Sequence, residues 1–217
     1  QTLAVLGPNG AGKTTVIDAL TGFVRVRTGQ ITLAGSRIDS WSVHRRARGG
    51  LCRSFQSLEL FEDLTVAENL RAASDQRDLR GYFSSVLPTR DRGISSAAKA
   101  AIAEFELEPD LHRLPTELPY GRRRLVGIAR AVATEPSVLL LDEPAAGLDE
   151  RESRELTHLI RRLAGDWGMA ILMVEHDMQL VMDACDRIAV LDFGRKISDG
   201  TPEEVRGDKA VVEAYLG

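Results

Sequence analysis

The strongest chemical signal in the sequence is a glycine-rich loop near its start. Gly7–Thr14 is GPNGAGKT, which satisfies the pattern G-x-x-x-x-G-K-[ST] between an apolar run and a helical pattern. Glycines allow successive backbone N–H groups to surround a phosphate, and the following helix N-terminus adds a favourable dipole. Lys13 can reach the β- and γ-phosphates of a nucleotide, and the Thr14 hydroxyl can bind Mg²⁺. The predicted phosphate contacts are Gly7, Pro8, Asn9, Gly10, Ala11, Gly12, Lys13, Thr14 and Thr15.

Two acidic residues follow a predicted buried strand later in the chain. Val138–Leu141 is a continuous apolar run, suited to a strand covered on both faces, and Asp142 and Glu143 come directly after it. Ligands of open α/β sheets bind at the carboxyl ends of the strands. We therefore expect Asp142 on the Mg²⁺ side of the nucleotide and Glu143 in a position to polarise the attacking water.

Gln56 and His176 come after two further predicted strands. Gln56 follows CRSF, where its amide could contact both the metal and the water, and His176 follows ILMVE, where its imidazole could touch the γ-phosphate. A single glutamine or histidine is more often an ordinary surface residue. Their positions at strand ends beside the same predicted nucleotide favour catalytic roles for both, together with Lys13 and Glu143.

The order of the predicted elements favours an α/β fold. Short strands such as TLAVL, GQITLAG, LCRSF and RIAVLDFG alternate with helices in the first and last parts of the chain, which indicates a mostly parallel sheet. Helical patterns dominate between these parts: TVAENLRAASDQ, SSAAKAAIAEFEL and RRRLVGIARAVATE. We expect one domain, 1–217, with a core of about 1–57 and 136–217 and a lateral helical subdomain of about 58–135.

The bulk composition is that of a globular protein without a basic excess. The 217 residues are 43% hydrophobic and 28% charged, with a formal net charge of -4. Nucleic-acid-binding proteins normally carry a basic excess, so we expect no nucleic-acid partner. Cys52 and Cys185 lack metal-type spacing and are expected to be reduced thiols. No apolar run approaches the roughly 20 residues that span a bilayer, so we expect a soluble, cytoplasmic chain. Any membrane role would come through a partner.

One stretch conflicts with simple helix electrostatics. In ELPYGRRRLVGIAR (Glu117–Arg130), three arginines stand in the predicted first turn of a helix. Helix N-termini carry partial positive charge and favour anions. Either the arginines extend into water or a strongly negative group lies in front of them.

Taken together, these motifs resemble those of a known family. GPNGAGKTT, RSFQ, LPYGRRR, LLLDEPAAGLD and VEHD, in this order, are similar to the ATP-binding subunits of ABC transporters over nearly the whole chain. RSFQSLELFEDLTVAENL, AAGLDERESREL, VEHDMQLVMDACDRIAVLDFGRKISDGTPEEV and the closing AYLG narrow the resemblance to the ATPases of branched-chain amino acid importers and their urea- and amide-importing relatives. The lipopolysaccharide-export ATPase is similar in many of the same places.

The resemblance implies a fold, cofactors and partners. The fold is that of a RecA-like P-loop NTPase, and the cofactors are ATP and Mg²⁺, with Thr14, Gln56 and Asp142 on the metal. Two such subunits form a head-to-tail dimer. In it the signature segment, LPYGRRR (Leu118–Arg124), contacts the other subunit's ATP through Tyr120, Gly121 and Arg122, and Asp149 lies in the loop that links the two sites. Permease subunits would hold the dimer at the cytoplasmic face of the inner membrane, and a solute-binding receptor would act indirectly.

The signature segment departs from the usual family pattern. The common signature has Ser in its second place and Gln after its second Gly, whereas this chain has Pro119 and Arg122 there, with Tyr120 at the first Gly. Proline has neither a side-chain donor nor a backbone N–H. One hypothesis is that Arg122 or Arg123 replaces the missing serine with a charge-assisted contact to phosphate. The alternative is that both arginines are solvated or pair with nearby acids such as Glu117.

Two further expectations concern the front of the chain and rival functions. Family members carry an additional N-terminal segment with two antiparallel strands and an aromatic that stacks on adenine, so we expect the present sequence to be partial. Soluble ABC-type ATPases of translation or DNA repair carry a second ATPase unit or long insertions, which are not seen here. A weakly active regulatory subunit is favoured by Pro119 but disfavoured by the intact Lys13, Asp142, Glu143 and His176.

Overall fold

The computed structural model describes residues 1–54, 59–74 and 94–216. The chain consists of two compact units. The core unit comprises Gln1–Ser57 and Pro136–Gly217, and the helical unit comprises Leu58–Glu135.

The described elements alternate between strands and helices in the core unit. The strands are β1 Thr2–Leu6, β2 Thr32–Leu33, β3 Ser36–Arg37, β4 Leu51–Ser54, β5 Val138–Asp142, β6 Ala170–Val174, β7 Arg187–Asp192 and β8 Arg195–Gly200. The helices are α1 Lys13–Thr21, α2 Val43–Arg48, α3 Val66–Ser74, α4 Ser96–Glu104, α5 Tyr120–Val132, α6 Glu150–Gly165, α7 Met178–Ala184, α8 Pro202–Arg206 and α9 Lys209–Leu216. Short 3₁₀ turns cover Glu108–Asp110 and Pro115–Glu117.

The core unit is built around a six-stranded sheet with the order β4-β5-β6-β1-β7-β8. Its neighbouring strands are parallel except for β7 and β8, which are antiparallel. This mostly parallel sheet confirms the predicted α/β class. The apolar run in β5 is covered on both faces, since Leu139, Leu140 and Leu141 are at most 1% exposed. The parallel register brings the carboxyl ends of β1, β4, β5 and β6 to the same edge of the sheet.

Helix α1 is held against this sheet by a compact apolar cluster. Ile17 is fully buried and packs with Val5 of β1, Leu140 of β5 and Val174 of β6. Helix α6 packs through Leu156, Leu159, Ile160 and Leu163, whose spacing places them on one face of the helix. The loops at the strand ends therefore extend from a sheet that is packed against buried helix faces.

The predicted strand GQITLAG is much shorter than expected. It is confined to β2, which pairs with β3 in a separate two-stranded hairpin. Ala34 and Gly35, between the strands, have φ values of 47° and 77°. Two successive left-handed residues form the tight turn that two-residue hairpins prefer, so the strand ends after two residues.

The described part of the helical unit contains α3, α4 and α5, as the helical patterns predict. Ser95 begins α4 by accepting a hydrogen bond from the Ala98 N–H. The first N–H groups of α3 are satisfied by the carbonyls of Arg113 and Leu111, which bond to Val66 and Ala67. The predicted break SSVLPTRDRG lies outside the described residues.

Within the described residues, no helix is both long enough and apolar enough to cross a bilayer.

Candidate functional site

The glycine-rich loop joins the end of β1 to the start of α1. Gly7, Gly10 and Gly12 have φ values of 152°, 81° and 102°, in the region that favours glycine. The loop is closed by a hydrogen bond from the Ala11 N–H to the Pro8 carbonyl (3.1 Å). Helix α1 begins directly after it, and Thr14 and Thr15 are exposed in the first turn. Such a loop in front of a helix N-terminus presents main-chain N–H groups to an anion.

The turn between β7 and β8 supports the loop from one side. A Cβ added to Gly7 would lie 2.2 Å from the Leu191 carbonyl oxygen and 2.9 Å from the Ala11 Cβ. The Gly194 N–H donates to the Ala11 carbonyl (3.0 Å). The path of the loop is therefore fixed by main-chain contacts, and position 7 has no room for a side chain.

Lys13 closes the loop with its ammonium group. Its Nζ donates to the carbonyls of Gly7 (2.8 Å) and Pro8 (3.0 Å). Burial lowers the pKa of Lys13 from its usual value, and the nearby Glu143 carboxylate acts in the opposite direction. The ammonium thus lies at the mouth of the loop, where a phosphate would exchange these carbonyl contacts for its own oxygens.

Glu143 and His176 lie together at two adjacent strand ends. Glu143 follows β5 with a left-handed φ of 47°, and its N–H donates to the Val174 carbonyl of β6 (2.8 Å). Its Oε1 lies 3.1 Å from the His176 Nε2. A non-glycine residue in this conformation is strained and is typical of functional sites. The pair can hold and deprotonate a water molecule.

Asp142 contacts a residue that sequence reasoning missed. Its Oδ2 lies 2.6 Å from Nη2 of Arg53, the third residue of β4. A second nitrogen of Arg53, Nη1, lies 2.6 Å from Oδ1 of Asp18 in α1. The Arg53 side chain is 9% exposed, so these contacts fix Asp142 in a largely dry position. Asp18 and Asp142 lie 35 and 89 residues from Arg53 along the chain, so no local sequence pattern reveals these ion pairs.

Glu175 was also missed, because sequence reasoning singled out only the histidine after it. The Glu175 residue is 3% exposed, and its carboxylate accepts hydrogen bonds from the N–H groups of Ala145 (2.7 Å), His176 (2.5 Å) and Asp177 (3.1 Å). A carboxylate that accepts several backbone N–H groups is strongly held. Glu175 therefore ties the segment after Glu143 to the segment that carries His176.

Asp149 is the N-cap residue of helix α6. Its carboxylate accepts from the Glu152 N–H (2.8 Å), and the Glu152 carboxylate accepts from the Asp149 N–H (3.1 Å). This reciprocal arrangement is a capping box. Gly147, two residues earlier, has a φ of 78°. The loop expected to link two subunits is thus anchored at its helical end.

The signature segment begins α5, as the helical pattern predicts. Tyr120 is the first residue of α5, and Pro119 stands at the N-cap without a side-chain hydrogen bond. Gly121 is buried, and the Tyr120 hydroxyl receives a hydrogen bond from Arg124 Nη2 (3.1 Å). Arg124 is only 2% exposed, so its guanidinium packs inside the protein and not at the surface.

Arg122 and Arg123 pair with acids of the helical unit. Arg122 donates to Asp110 Oδ2 from Nε (2.9 Å) and Nη2 (2.6 Å). Arg123 forms an ion pair with Glu62. These partners differ from the suggested Glu117, whose carboxylate accepts from the Leu114 N–H (2.8 Å). The arginines therefore follow the paired alternative in this structure, with acids that lie 12 and 61 residues away.

The described residues fit a nucleotide with its magnesium ion. Within 1–54, 59–74 and 94–216, no group of three or more His, Cys, Asp or Glu side chains could hold a metal alone. Mg²⁺ in phosphate-transfer sites is instead held by few protein groups and by the substrate phosphates. Thr14 and Asp142 would supply the protein groups. Gln56, the third predicted metal contact, lies outside the described residues.

The family follows from a comparison with known protein families. Residues 1–146 match the family described as ABC transporter. The chain belongs to this family. Residues 195–217 match a second family description, branched-chain amino acid ATP-binding cassette transporter.

Named relatives agree with this assignment. The chain is 42% identical to the high-affinity branched-chain amino acid transport ATP-binding protein LivG of Salmonella typhimurium, over 100% of this chain and 87% of that protein. It is 39% identical to the high-affinity branched-chain amino acid transport ATP-binding protein BraF of Pseudomonas aeruginosa, over 100% of this chain and 87% of that protein. It is 36% identical to the lipopolysaccharide export system ATP-binding protein LptB of Haemophilus influenzae, over 100% of this chain and 86% of that protein.

A solved structure supports the fold of this ABC transporter family member. The ADP conformation of an ATP-binding cassette of an ABC transporter has a TM-score of 0.85 and 27% identity, over 100% of this chain and 87% of that one. The predicted resemblance and the P-loop NTPase fold are thereby confirmed, and the chain is an ATP-binding cassette ATPase.

Proposed function

We propose that this chain is the ATP-hydrolysing subunit of an importer for branched-chain amino acids or a related small polar solute. The observation that carries the hydrolytic role is the Glu143–His176 pair (3.1 Å) at the strand ends beside the Lys13 loop. The relatives LivG and BraF, whose names state branched-chain amino acid transport, support the class of solute.

The proposed chemistry divides among the core-unit residues as follows. The loop Gly7–Thr15 receives the phosphates, and Lys13 moves its ammonium contacts from the Gly7 and Pro8 carbonyls to phosphate oxygens. Glu143 accepts the proton of an in-line water, and His176 holds the reacting end beside it. Mg²⁺, when bound, supplies charge neutralisation on the phosphates, with Thr14, Asp142 and Gln56 as its protein contacts.

The proposal includes partners. Two ATPase subunits, identical or paralogous, pair so that Tyr120, Gly121, Arg122 and Asp149 of one face the nucleotide of the other. Permease subunits contact Gln56 and the helical unit and hold the pair at the cytoplasmic face of the inner membrane. A solute receptor acts indirectly. ATP drives transport because the closed and open pairs differ in their contacts with nucleotide.

Lipopolysaccharide export is the second candidate. The 36% identity to LptB supports this candidate, but less strongly than the 42% identity to LivG supports the first one. The two candidates differ in the substrate that stimulates the assembled complex, and nothing in the ATPase site distinguishes them.

Transport by the assembled complex tests the proposal. The chain, its permeases and its solute receptor are reconstituted in proteoliposomes, and ATP-dependent uptake of labelled leucine, isoleucine, valine, urea and short amides is measured. We expect uptake of at least one of these solutes, abolished by Glu143→Gln. ATP hydrolysis without uptake of any of them would contradict the proposed solute class, and extraction of lipopolysaccharide would establish the second candidate.

A further inference from the structure

The first turn of helix α5 is attached to the rest of the helical unit by an unusual cluster of charged groups. Asp110 ends the first 3₁₀ turn and is 5% exposed. Its Oδ2 accepts two hydrogen bonds from Arg122, and its Oδ1 accepts one from Nη1 of Arg113 (3.1 Å). We call the four residues Glu106, Asp110, Arg113 and Arg122 the Asp110 clasp.

Arg122 has a second acceptor in the clasp. Its Nη2 donates to the Glu106 carbonyl (2.6 Å). Glu106 lies just beyond α4 with a left-handed φ of 51°. The Glu106 N–H bonds to the Ala103 carbonyl and the Leu107 N–H to the Ile102 carbonyl, which is the Schellman arrangement that ends helices. Glycine usually occupies this position, and a residue with a side chain, such as Glu106, is strained there. The hydrogen bond from Arg122 therefore stabilises a strained turn.

The clasp also fixes the residues that precede α5. Arg113 donates to the Glu117 carbonyl from a second nitrogen, and its own carbonyl accepts from the Val66 N–H at the start of α3 (3.0 Å). A single buried carboxylate thus joins the end of α4, the segment before the signature and the start of α5. Asp110 and Arg122 are the two members whose charge-assisted bonds close the cluster.

These contacts argue against Arg122 as a phosphate ligand. To reach a phosphate, Arg122 would have to leave both Asp110 and the Glu106 carbonyl. Asp110 would then remain buried with one arginine, and the loss of a partner from a buried ion pair is strongly destabilising. The Asp110 side chain is only 7% exposed, whereas the Arg122 side chain is 31% exposed. The carboxylate that would lose its partner is therefore the more buried member of the pair.

We infer that Arg122 is a positioning residue, which sets the direction of the α5 N-terminus through Asp110. The first N–H groups of an α-helix have no intrahelical partner and favour an anion in front of them. Their direction is fixed by whatever holds the first turn, and in this chain Arg122 is the third residue of that helix. Arg122 thus acts on phosphate through the main chain of the signature, and its own guanidinium stays with Asp110.

This inference rests on the proposed function, because it assumes that the signature of one chain meets the nucleotide of another. It does not depend on the solute. The rate of ATP hydrolysis by the assembled complex reports on the clasp even where the transported solute differs from the proposed one.

Asp110→Asn is the variant that separates positioning from direct contact. The assembled complex carries Arg122→Ala, Asp110→Asn or both, and kcat and KM for ATP are measured, with the affinity of the isolated chain for a fluorescent ATP analogue. We expect each single variant to lower kcat by about tenfold, because small misplacements of reacting groups have effects of this size. The double variant should be no slower than the slower single variant, and nucleotide affinity should stay within about twofold.

Direct phosphate contact predicts a different pattern. Asp110→Asn would then leave Arg122 able to reach phosphate and would keep the wild-type kcat, whereas Arg122→Ala would lose it. That pattern overturns the inference, and so does a wild-type kcat in all three variants. Arg122→Lys sharpens the distinction: it keeps a charge for phosphate but lacks the two-nitrogen bond to Asp110, so we expect its kcat to fall too, and an unchanged kcat would overturn the inference.

Controls separate positioning from loss of folding. Arg187 and Asp199 form an exposed pair between β7 and β8 in the core unit (2.6 Å), and Arg187→Ala and Asp199→Asn should leave kcat unchanged. Thermal unfolding of every variant is recorded. If Arg122→Ala fails to fold, Arg122→Lys and Asp110→Asn still decide, because the positioning role requires both to lower kcat while nucleotide affinity is retained.

Discussion

The glycine-rich loop of the core unit and the signature segment of the helical unit are held in place by different means. In the core unit, the phosphate loop is shaped by glycine conformations and by main-chain bonds such as Gly194 N–H to the Ala11 carbonyl. In the helical unit, the signature turn is held by ion pairs, Arg122 with Asp110 and Arg123 with Glu62. The loop is therefore prepared by the backbone, whereas the signature depends on a few side chains.

A buried arginine of the core unit, Arg46, bonds to main-chain carbonyls, whereas Arg53 of the same unit pairs with the carboxylates of Asp18 and Asp142. Arg46 of α2 is 3% exposed and donates to the carbonyls of Ala19 (2.7 Å) and Leu20 (2.6 Å) near the end of α1. It also donates to the carbonyls of Asp39 and Trp41. A cation at a helix C-terminus satisfies orphan carbonyls and complements the helix dipole. Arg46 thus anchors the far end of the helix that begins at the phosphate loop.

The largest stability effect is expected from Arg46→Ala. Removal of the guanidinium leaves several buried carbonyls without a partner, and we expect the free energy of unfolding to fall by about 3 kcal/mol. The matched control is Arg45→Ala on the same helix, since Arg45 lies over the Trp41 ring at 4.4 Å on the surface and should contribute only about 0.5 kcal/mol. Denaturant unfolding measures both, and equal losses would contradict the anchoring role of Arg46.

Gly7→Ala should have the next largest effect, and it tests whether main-chain geometry shapes the loop. The added methyl would meet the Leu191 carbonyl at 2.2 Å, so the loop must shift. Overpacking of this kind costs about 1–3 kcal/mol, and we expect ATP affinity to fall by about tenfold or more. Gly29→Ala is the control: Gly29 has a φ of 97° but nothing within 4 Å of the added Cβ, so it carries the backbone strain without the clash. Unchanged ATP affinity in Gly7→Ala by calorimetric titration would show that the loop tolerates a side chain.

The smallest of these effects is expected from Glu175→Gln. The neutral amide keeps the shape of the side chain but weakens the bonds from the Ala145, His176 and Asp177 N–H groups, with an expected loss of about 1.5 kcal/mol of unfolding free energy. Because Glu175 adjoins His176, ATP hydrolysis should fall as well. Glu155→Gln, which changes a 57% exposed carboxylate on α6, serves as the control in both measurements. Wild-type stability and a wild-type rate of ATP hydrolysis in Glu175→Gln would show that Glu175 does not hold the segment that carries His176.

The sequence predicts the parts of the site that local pattern and backbone geometry build, but not the ion pairs that long-range packing brings together. The phosphate loop and the strand ends follow from local pattern and from the parallel sheet, so the neighbourhood of Lys13, Glu143 and His176 was foreseeable. The partners of Asp142 and Arg122 were not, because Arg53 and Asp110 meet them only through tertiary packing. The suggested partner Glu117 is near Arg122 in sequence, but its carboxylate is used by the Leu114 N–H.

Strand length was a second limit. GQITLAG has the composition of a strand, yet the turn at Ala34 and Gly35 reduces it to Thr32–Leu33. Composition predicts that a segment prefers extended structure, but the extent of pairing depends on the partner strand that the fold provides. Gln56 and the segment 75–93 lie outside the described residues, so their predicted roles stay predictions.

Nucleotide-dependent pairing of chains that carry Glu143→Gln tests the central claim most directly. The variant is studied by sedimentation with ATP and with ADP, alone and together with the second ATPase subunit of its complex, and its rate of ATP hydrolysis is measured. We expect the rate to fall by about 100-fold or more, the usual contribution of a general base, and stable pairs to form with ATP but not with ADP. Rapid hydrolysis by the variant, or unpaired chains that nevertheless bind ATP, would contradict the account.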